Sequence, residues 1–309
     1  MKQWIDGEKL IKNGLGYAYI TSTDYTKWEF SNYSINDTNS ILGNTLVPFY
    51  KNLSDTGYVL YNDQPPTELP KSSKGHTKGV VLTDLNGGFW LIHSVPHFPQ
   101  LGANYTFSSS GVIKGQSFFC ISLDLKNLNK VGIQLQYNEP QIYASHVPDI
   151  LKSKISQIEA AVSGVTVTQP PWFNQIPITS KSGIRFISFA KSKKFGKDLY
   201  EDWVAPALQS NLLVETWPNG AGKLPSNCSK PFKVYNVETV SMKVTNTTFS
   251  NTQDHSKWAV SQNLNWICIG DINRMEHQKV RGGGTVCLNN EMLSTNYRDC
   301  VVAIEKCHN

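Results

Sequence analysis

Gly75-His76-Thr77-Lys78-Gly79-Val80 and Asp254-His255-Ser256-Lys257-Trp258 carry the same short pattern, a histidine followed two residues later by a lysine. Side chains two positions apart on an extended strand point to the same face, so each stretch places an imidazole beside an ammonium group. One copy lies in each half of the 309-residue chain. The repetition favours a fold of two related halves whose signatures face each other across one site.

Two facing pairs of this kind suit the cleavage of a phosphodiester. One neutral histidine can attack phosphorus while the other, protonated, donates to the leaving oxygen. Lys78 and Lys257 would stabilise the charge that builds on the non-bridging oxygens. We therefore predict that His76 and His255 are catalytic residues, and that the chemistry needs neither a metal nor another cofactor.

The residues around the signatures carry a family resemblance. The first signature runs into an apolar strand, then a Leu85-Asn86-Gly87-Gly88 turn and a returning strand at residues 89–96. Further matching segments follow in order at residues 60–66, 188–191, 194–200, 224–229, 254–258, 270–274 and 281–285. In these segments, between about Gly14 and Cys300, the chain resembles the deoxyribonuclease II family.

The resemblance implies an endodeoxyribonuclease that acts on double-stranded DNA at acid pH without a divalent metal. The products would carry 3'-phosphate and 5'-hydroxyl ends and would form through a phosphohistidine intermediate. By analogy with phospholipase D, His76 would be the nucleophile and His255 the general acid, and the sequence leaves the reverse assignment open. The implied fold is also phospholipase D-like, with two αβ halves that meet about a pseudo-twofold axis.

The predicted fold class is therefore α/β, in the sense of a mixed α+β chain with central β-sheets flanked by helices. We place the first half at residues 1–165 and the second at 166–309. Aromatic or β-branched runs predict strands at residues 16–20, 57–61, 80–83, 89–92, 118–123, 185–189, 212–217 and 266–269. Helical patterns cover residues 42–50, 147–162 and 199–208. The proline-containing segment 163–179 is the predicted hinge.

Residues on the two return strands are candidates to support the catalytic histidines. His93 matches an active-site histidine of the family, and its other interpretation is a core histidine bound to backbone. Asp271 and Asn273 could fix an imidazole tautomer and steady the imidazolium. The alternative for Asp271-Ile272-Asn273 is a turn that ends a strand.

A mixture of basic and aromatic residues predicts where the substrate binds. It is densest between residues 181 and 197, and lysines there could meet phosphates without reading base sequence. The alternative is a solvated face with its aromatic residues in the core. From this region, the second return strand and the glycine-rich segment that follows it, we predict four substrate-binding residues: Lys191, Lys194, Arg274 and Arg281.

One pair of histidines has the spacing of a metal site. His93 and His97 are four residues apart, as in a helical ligand pair, but Pro96 between them argues against a helix interior. The cysteines also lack a C-x-x-C pair. The sequence therefore predicts no metal ligands.

Glycosylation sequons and cysteines indicate the secretory route. The sequons begin at Asn32, Asn36, Asn52, Asn104, Asn227 and Asn246, and the cysteines are Cys120, Cys228, Cys268, Cys287, Cys300 and Cys307. The family resemblance implies disulfides between Cys228 and Cys300 and between Cys268 and Cys287, with Cys120 and Cys307 left over. Sequence alone cannot fix the pairing.

These features predict a secreted or lysosomal protein. No signal peptide is visible at the start of the chain, which looks trimmed, and no run approaches the length of a transmembrane helix. The formal net charge of +5 is a mild bias toward polyanions, so the affinity for DNA should sit in a local groove. Neither a monomer nor a homodimer is excluded.

Two other functions fit the sequence. One is a secreted, catalytically silent member of the family that binds DNA or a host protein. The other is a phosphodiesterase of the same fold that acts on a different phosphate ester. Retention of both histidine–lysine signatures favours the nuclease over the silent relative.

Overall fold

The computed structural model of this protein describes residues 7–51 and 55–307. Its α-helices are α1 Gly7–Lys12, α2 Ile41–Tyr50, α3 Leu125–Asn138, α4 Asp149–Lys152, α5 Ser156–Val162, α6 Ala205–Leu208 and α7 Glu291–Arg298. Its strands are β1 Ala18–Tyr19, β2 Glu29–Phe30, β3 Gly57–Asn62, β4 Lys78–Asp84, β5 Gly87–His93, β6 Phe118–Leu123, β7 Ile142–His146, β8 Phe173–Thr179, β9 Arg185–Lys191, β10 Leu212–Glu215, β11 Val234–Met242, β12 Thr247–Ser250, β13 Trp258–Ser261, β14 Trp266–Gly270, β15 Gly283–Asn289 and β16 Val301–Ile304. The predicted mixed α/β class is confirmed.

The first large sheet is antiparallel and has the strand order β6-β5-β4-β3-β7. At its centre β4 and β5 form a tight hairpin that turns at residues 85–86, and the first residue after the turn is Gly87, whose φ of 112° favours glycine. A Cβ atom at Gly87 would also lie 2.5 Å from the backbone oxygen of Leu123. The hairpin that carries the first signature is therefore fixed by backbone geometry as well as by its apolar side chains.

The second large sheet has the order β12-β11-β10-β13-β14-β15-β9-β8, with β16 beside β11. Its pairs are antiparallel except for β10 and β11, which run parallel. The β13–β14 hairpin repeats the β4–β5 hairpin: β4 begins at Lys78, and β13 begins directly after Lys257. Each signature thus leads into the outgoing strand of a central hairpin.

A shared core joins the two sheets. Val81 and Trp90 of the first sheet belong to the same buried cluster as Val260 and Ile267 of the second. Helix α3 packs against β5 on one side and against β8 and β9 on the other. The Gln134 side chain of α3 donates a hydrogen bond of 2.9 Å to the backbone oxygen of Ser188 in β9. The two signature hairpins are consequently held by one continuous interior.

The strands of the two large sheets do not mix along the chain. Residues 57–146 supply the first sheet, and residues 173–304 supply the second. The boundary that we predict at 165/166 falls between them, and it stays a prediction. The hinge segment 163–179 is partly wrong, because Phe173–Thr179 is an edge strand, where Pro177 is tolerated.

Two predicted helices are less regular than their patterns indicate. The region 147–162 forms α4 and α5 with a break at residues 153–155. The region 199–208 begins as the π-helix Tyr200–Val204 and continues as the short α6. The long helix α3 has no counterpart in the sequence prediction. Its start is set by Asp124, whose side chain accepts a hydrogen bond from the backbone N–H of Asn127.

The cysteine pairing differs in part from the one implied by the resemblance. Cys268 and Cys287 form a disulfide between neighbouring strands. The implied bond between Cys228 and Cys300 is wrong, since the structure pairs Cys228 with Cys307. The backbone N–H of Ser226 donates to the Glu305 carboxylate at 2.7 Å, which places this loop at the far end of β16 from Cys300.

Cys300 remains a buried thiol, and Cys120 is a second free cysteine. Four sequon asparagines are exposed, namely Asn32, Asn36, Asn104 and Asn246, and Asn227 is half-buried. The sequon at Asn52 and the first six residues of the chain lie outside the described residues. Within the described part of the chain, no helix is both long and apolar enough to cross a membrane.

Candidate active site

The first signature is anchored by residues of the second half. The backbone N–H of His76 donates to the carbonyl of Gly282 at 2.8 Å. The guanidinium of Arg281 donates to the carbonyls of Lys74 and Gly75, both at 3.1 Å. A Cβ atom at Gly75 would lie 1.9 Å from the backbone oxygen of Asn138 in α3, so glycine is required by this close approach.

The second signature is anchored by the first half in a comparable way. The backbone N–H of His255 donates to the carbonyl of Gly115 at 2.8 Å. Next to it the buried carboxylate of Asp254 accepts from both the N–H and the hydroxyl of Ser256, at 2.9 and 2.8 Å. Each signature is therefore built into the junction between the halves.

The two histidine rings make reciprocal contacts across that junction. Nδ1 of His76 lies 2.5 Å from the backbone oxygen of Asp271, the residue after β14. Nδ1 of His255 lies 2.7 Å from the backbone oxygen of Ser94, the residue after β5. A carbonyl oxygen can only accept, so we assign the proton to Nδ1 in both neutral rings. This leaves Nε2 as the nitrogen of each ring that carries the lone pair.

The two lysines are almost completely buried but have different partners. Lys78 forms an ion pair with the carboxylate of Asp63, which directly follows β3. The ammonium of Lys257 donates to the backbone oxygen of His255 at 2.5 Å. Burial, together with the nearby charge of Lys78, lowers the pKa of Lys257 to about 7. Two such cations close together form a site for an anion.

Asp63 is the main carboxylate of the first signature. Its Oδ2 atom lies 3.7 Å from Nε2 of His76 and 3.7 Å from Nη1 of Arg281. Burial alone would raise the pKa of Asp63, but Lys78, His76 and Arg281 reverse that effect and hold it well below its usual range. Asp63 is therefore ionised at any pH at which the protein would work.

The second histidine has an aromatic neighbour at the corresponding position. The rings of Trp217 and His255 meet edge to face, with centroids 4.7 Å apart. Burial and the charges of Lys257 and Lys78 lower the pKa of His255. Burial also lowers the pKa of His76, although the Asp63 carboxylate acts in the opposite direction there.

Asp271 and Asn273, two of the predicted supporting residues, make different contacts with the signatures. Asp271 holds His76 through its backbone, and its side chain accepts from the N–H of Gly284 at 2.9 Å. Burial raises the pKa of Asp271 to about 6. Asn273 accepts from the backbone N–H of Trp217 at 3.2 Å, so it positions the neighbour of His255 and not the imidazole itself.

His93 lies inside the first sheet. Its ring stacks on Phe118 and meets Phe98 edge to face, and its Nδ1 accepts from the N–H of Val95 at 3.2 Å. Its Nε2 is buried and has no hydrogen-bond partner within residues 7–51 and 55–307. Burial and Lys78 lower the pKa of His93 to about 3. These contacts match the core interpretation of His93, with the ring neutral.

Two of the four predicted substrate-binding residues, Lys191 and Arg274, are buried with partners inside the protein. Lys191 donates to the carbonyls of Gln278, Lys279 and Arg281 at 2.9, 3.1 and 2.5 Å. Arg274 forms an ion pair with Glu201 and donates to Asn236 at 2.5 Å. These contacts do not support a role in substrate binding, which stays a prediction for both residues.

The other two predicted residues remain accessible. Lys194 is exposed, with its ammonium 4.4 Å from the centroid of the Trp172 ring. Arg281 is partly exposed and faces Asp63 beside His76. Their predicted role in substrate binding stays a prediction.

Sequence reasoning missed three residues of the site. Asp63 lies in the Leu60–Pro66 motif, which carries the family resemblance but has no chemical pattern of its own. Glu215 ends β10 and Trp217 lies two residues beyond it, both far in sequence from His255. The Glu215 carboxyl is buried, and neither of its oxygens is hydrogen-bonded to a residue that the structure describes. Only the strand pairing could have revealed these neighbours.

The last feature of the site is the arrangement of its possible metal ligands. Among residues 7–51 and 55–307, no group of three or more His, Cys, Asp or Glu side chains is arranged to hold an ion. His97, which the sequence pairs with His93 as a possible metal ligand, instead places its Nδ1 3.0 Å from the backbone oxygen of Pro65.

Comparison with known proteins gives a consistent result. A family profile described as Deoxyribonuclease II matches residues 5–307. Plancitoxin-1 of Acanthaster planci is 41% identical over 305 residues, which cover 96% of this chain and 85% of the relative. Deoxyribonuclease-2-alpha of Rattus norvegicus is 41% identical over 97% of this chain and 87% of its own length. Deoxyribonuclease-2-beta of Homo sapiens is 35% identical over 96% of this chain and 84% of its own length.

Proposed function

This chain belongs to the deoxyribonuclease II family and is an enzyme, and on that premise we propose that it is an endonuclease that hydrolyses double-stranded DNA without a divalent metal. The reaction would pass through a phosphohistidine and leave 3'-phosphate and 5'-hydroxyl ends. The observation that carries the proposal is the reciprocal pair of contacts from His76 and His255 to the carbonyls of Asp271 and Ser94.

Those contacts prepare both rings for one covalent cycle. Each Nδ1–H is bound to a carbonyl, so each ring uses Nε2 for chemistry. One Nε2 can bond to phosphorus and the other can carry the proton that the 5'-oxygen needs when it leaves. A single imidazole could not do both at once, which explains why the fold brings together two signatures.

The lysines supply the charge that a metal ion would otherwise provide. Lys78 and Lys257 are fixed by Asp63 and by the backbone of His255, so they need little rearrangement as charge develops on the phosphate oxygens. The pKa of Lys257, lowered to about 7 by burial and by Lys78, makes this second cation fully charged only on the acid side of neutrality. An acid optimum is the expected result.

The place of action follows from the same chemistry. An enzyme that is most active in acid and carries disulfides fits the lysosome or a secreted, acidic digestive fluid. The disulfides Cys228–Cys307 and Cys268–Cys287 support a route through an oxidising compartment.

The test is the cleavage of supercoiled plasmid in excess EDTA from pH 4 to pH 9, with end-labelling of the products. We expect nicking that is strongest in acid, with 3'-phosphate ends. The matched variants are His76→Ala and His255→Ala, with His146→Ala as the control because His146 is exposed on β7.

The outcomes separate the candidate functions. Loss of cleavage in EDTA that Mg²⁺ restores would overturn the metal-free mechanism, and 5'-phosphate ends would overturn the leaving group. Tight DNA binding with no cleavage at any pH would indicate the silent relative. Cleavage of a small phosphodiester such as bis(p-nitrophenyl) phosphate, but not of DNA, would indicate a different substrate.

A further inference from the structure

The two histidines have equivalent carbonyl contacts at Nδ1, yet their Nε2 atoms face different surroundings. Oδ2 of Asp63 lies 3.7 Å from Nε2 of His76. The described residues place no carboxylate within ion-pair distance of His255, and Trp217 packs against its ring instead. This asymmetry separates the roles of the two rings.

The Asp63 carboxylate beside Nε2 of His76 favours the protonated form of that ring, the imidazolium. Since Nδ1 carries a proton that is bound to the Asp271 carbonyl, Nε2 either holds a lone pair, which the carboxylate repels, or a second proton, which it attracts. Burial opposes this protonation most strongly, and the cations that face His76, which are Lys78, Lys257 and Arg281, oppose it as well, so the pKa of His76 lies below its usual range despite Asp63. Lys78 and Arg281 themselves contact the same carboxylate, which partly offsets their charge.

The surroundings of His255 favour the neutral ring. The charged or titratable groups that act on it are Lys257, Lys78 and His76, all of which disfavour a positive charge there. The edge-to-face Trp217 ring excludes water from one side of the imidazole. A neutral His255 with its proton on Nδ1 presents the lone pair of Nε2, which is the form a nucleophile requires.

We propose that His255 is the nucleophile and His76 the general acid, and that Asp63 is the positioning residue that selects the acid. This assignment rests on the proposed function, and it reverses the one expected from analogy with phospholipase D. Asp63 acts through His76 and does not itself touch the reacting atoms.

The step balances in atoms and charge. Nε2 of His255 bonds to phosphorus, the bond from phosphorus to the 5'-oxygen breaks, and the proton passes from Nε2 of His76 to that oxygen. In the second step the neutral His76 removes a proton from water, whose oxygen bonds to phosphorus as the bond to His255 breaks. Both rings return to their starting states, and a 3'-phosphate is released.

The test uses a short duplex in which sulfur replaces the 5'-bridging oxygen of one phosphodiester. A thiolate leaves without needing a proton, so this substrate compensates for the loss of a general acid but not for the loss of a nucleophile. In EDTA at pH 5, His76→Ala should release about one equivalent of 5'-thiol in a burst and then turn over slowly. His255→Ala should release none.

Alkaline quenching and peptide mass spectrometry of the burst should find the phosphate on the peptide that contains His255. A burst from His255→Ala, or phosphate on His76, would overturn the assignment, as would silence of both variants while the wild-type protein releases thiol. Failure of the wild-type protein to cleave ordinary DNA in EDTA would instead count against the proposed function.

Asp63→Asn tests the positioning role independently. With ordinary DNA, kcat should fall about 10-fold or more, and the loss should grow toward the upper end of the pH profile because His76 loses its proton more easily. With the sulfur substrate the loss should shrink to about threefold or less. Equal losses on the two substrates would mean that Asp63 has only a structural role.

Discussion

The two signatures occupy equivalent places in the two sheets but differ in one neighbour. In the first sheet Asn62 pairs with Lys78, so Asp63 is the residue after the partner of the signature lysine. In the second sheet Glu215 pairs with Trp258, so Thr216 lies opposite Lys257 and Trp217 follows it. Asp63 and Trp217 therefore hold corresponding positions. A symmetric frame brings two identical rings together, and a single asymmetric position gives each ring its own role.

The comparison is sharpest for the histidines, where the largest effects are expected. His255→Ala should abolish cleavage of ordinary DNA at pH 5, because no covalent intermediate can form. His76→Ala should lose about 10² to 10⁴ in kcat, the usual contribution of a general acid. Initial rates of plasmid nicking measure both, and the double variant should be no worse than His255→Ala.

Two results would contradict this order. A double variant clearly less active than His255→Ala would show that the two rings contribute independently. A His255→Ala protein more active than His76→Ala would break the proposed division of roles. His146→Ala, with its exposed ring, should match the wild type.

The lysines provide the second comparison, because they hold equivalent places in the two signatures but have different partners. Lys78→Met and Lys257→Met should each lower kcat by about 10² to 10³, as each removes a preorganised cation. Their effects on stability should be opposite. Lys78→Met leaves the Asp63 carboxylate buried beside a neutral side chain, whereas Lys257→Met removes a cation that has no carboxylate partner among the described residues.

The pH dependence tests this contrast. The pKa of Lys257 is about 7 in the folded protein, lowered by burial and by Lys78. The folded state therefore binds this proton less tightly than the unfolded state does, and the charged form destabilises the fold below pH 7. Lys257→Met should raise the melting temperature at pH 5 to 7, and the gain should shrink as the pH rises toward 10. A melting temperature of Lys257→Met below that of the wild type at every pH would contradict this prediction.

The two buried carboxyl groups give the third comparison. Nearby cations hold the pKa of Asp63 well below its usual range despite its burial, so its stabilising effect is present above the unfolded pKa and is lost only in strong acid. Burial and Asp254 raise the pKa of Glu215 to about 10, although Lys257 acts in the opposite direction. Glu215 therefore costs stability increasingly as the pH rises above its unfolded pKa.

Asp63→Asn should cost about 3 to 5 kcal/mol at pH 6, the usual effect of breaking a buried ion pair. Glu215→Gln should have little effect at pH 4 and should stabilise the protein, relative to wild type, progressively from pH 5 to pH 8. Urea unfolding at each pH measures both. A constant difference between Glu215→Gln and wild type over that range would show that Glu215 is ionised in the folded state.

The sequence alone predicts the features that repeat along the chain. It does not predict the contacts that depend on which strands pair and in which register. The His-x-Lys spacing predicts the central hairpins, since it leads directly into β4 and β13. It does not reveal Asp63 or Trp217, because these residues reach the histidines only through the register of β3 and β10.

The charged residues show the same limit of prediction from sequence. Lys191 and Arg274 look like DNA contacts in the sequence, but buried carbonyls and carboxylates surround them in the structure. A charge near a motif is equally compatible with the surface and with a paired interior position. Only the three-dimensional contacts distinguish the two positions. The same holds for Cys300, which lies at the opposite end of β16 from Cys228, the disulfide partner that the family resemblance implied.

The smallest expected effect compares Lys194 with Lys191, two lysines close in sequence and opposite in exposure. Lys194 is exposed over Trp172, so Lys194→Ala should raise the KM for DNA about two- to threefold at low salt and reduce the salt slope by at most about one. Lys191→Met should leave the salt slope unchanged, since its ammonium is bound to the carbonyls of residues 278–281 and cannot release a counterion from DNA. Its effect should appear as a lower melting temperature. A reduced salt slope for Lys191→Met would return this lysine to the DNA-binding surface, and an unchanged slope for Lys194→Ala would remove Lys194 from it.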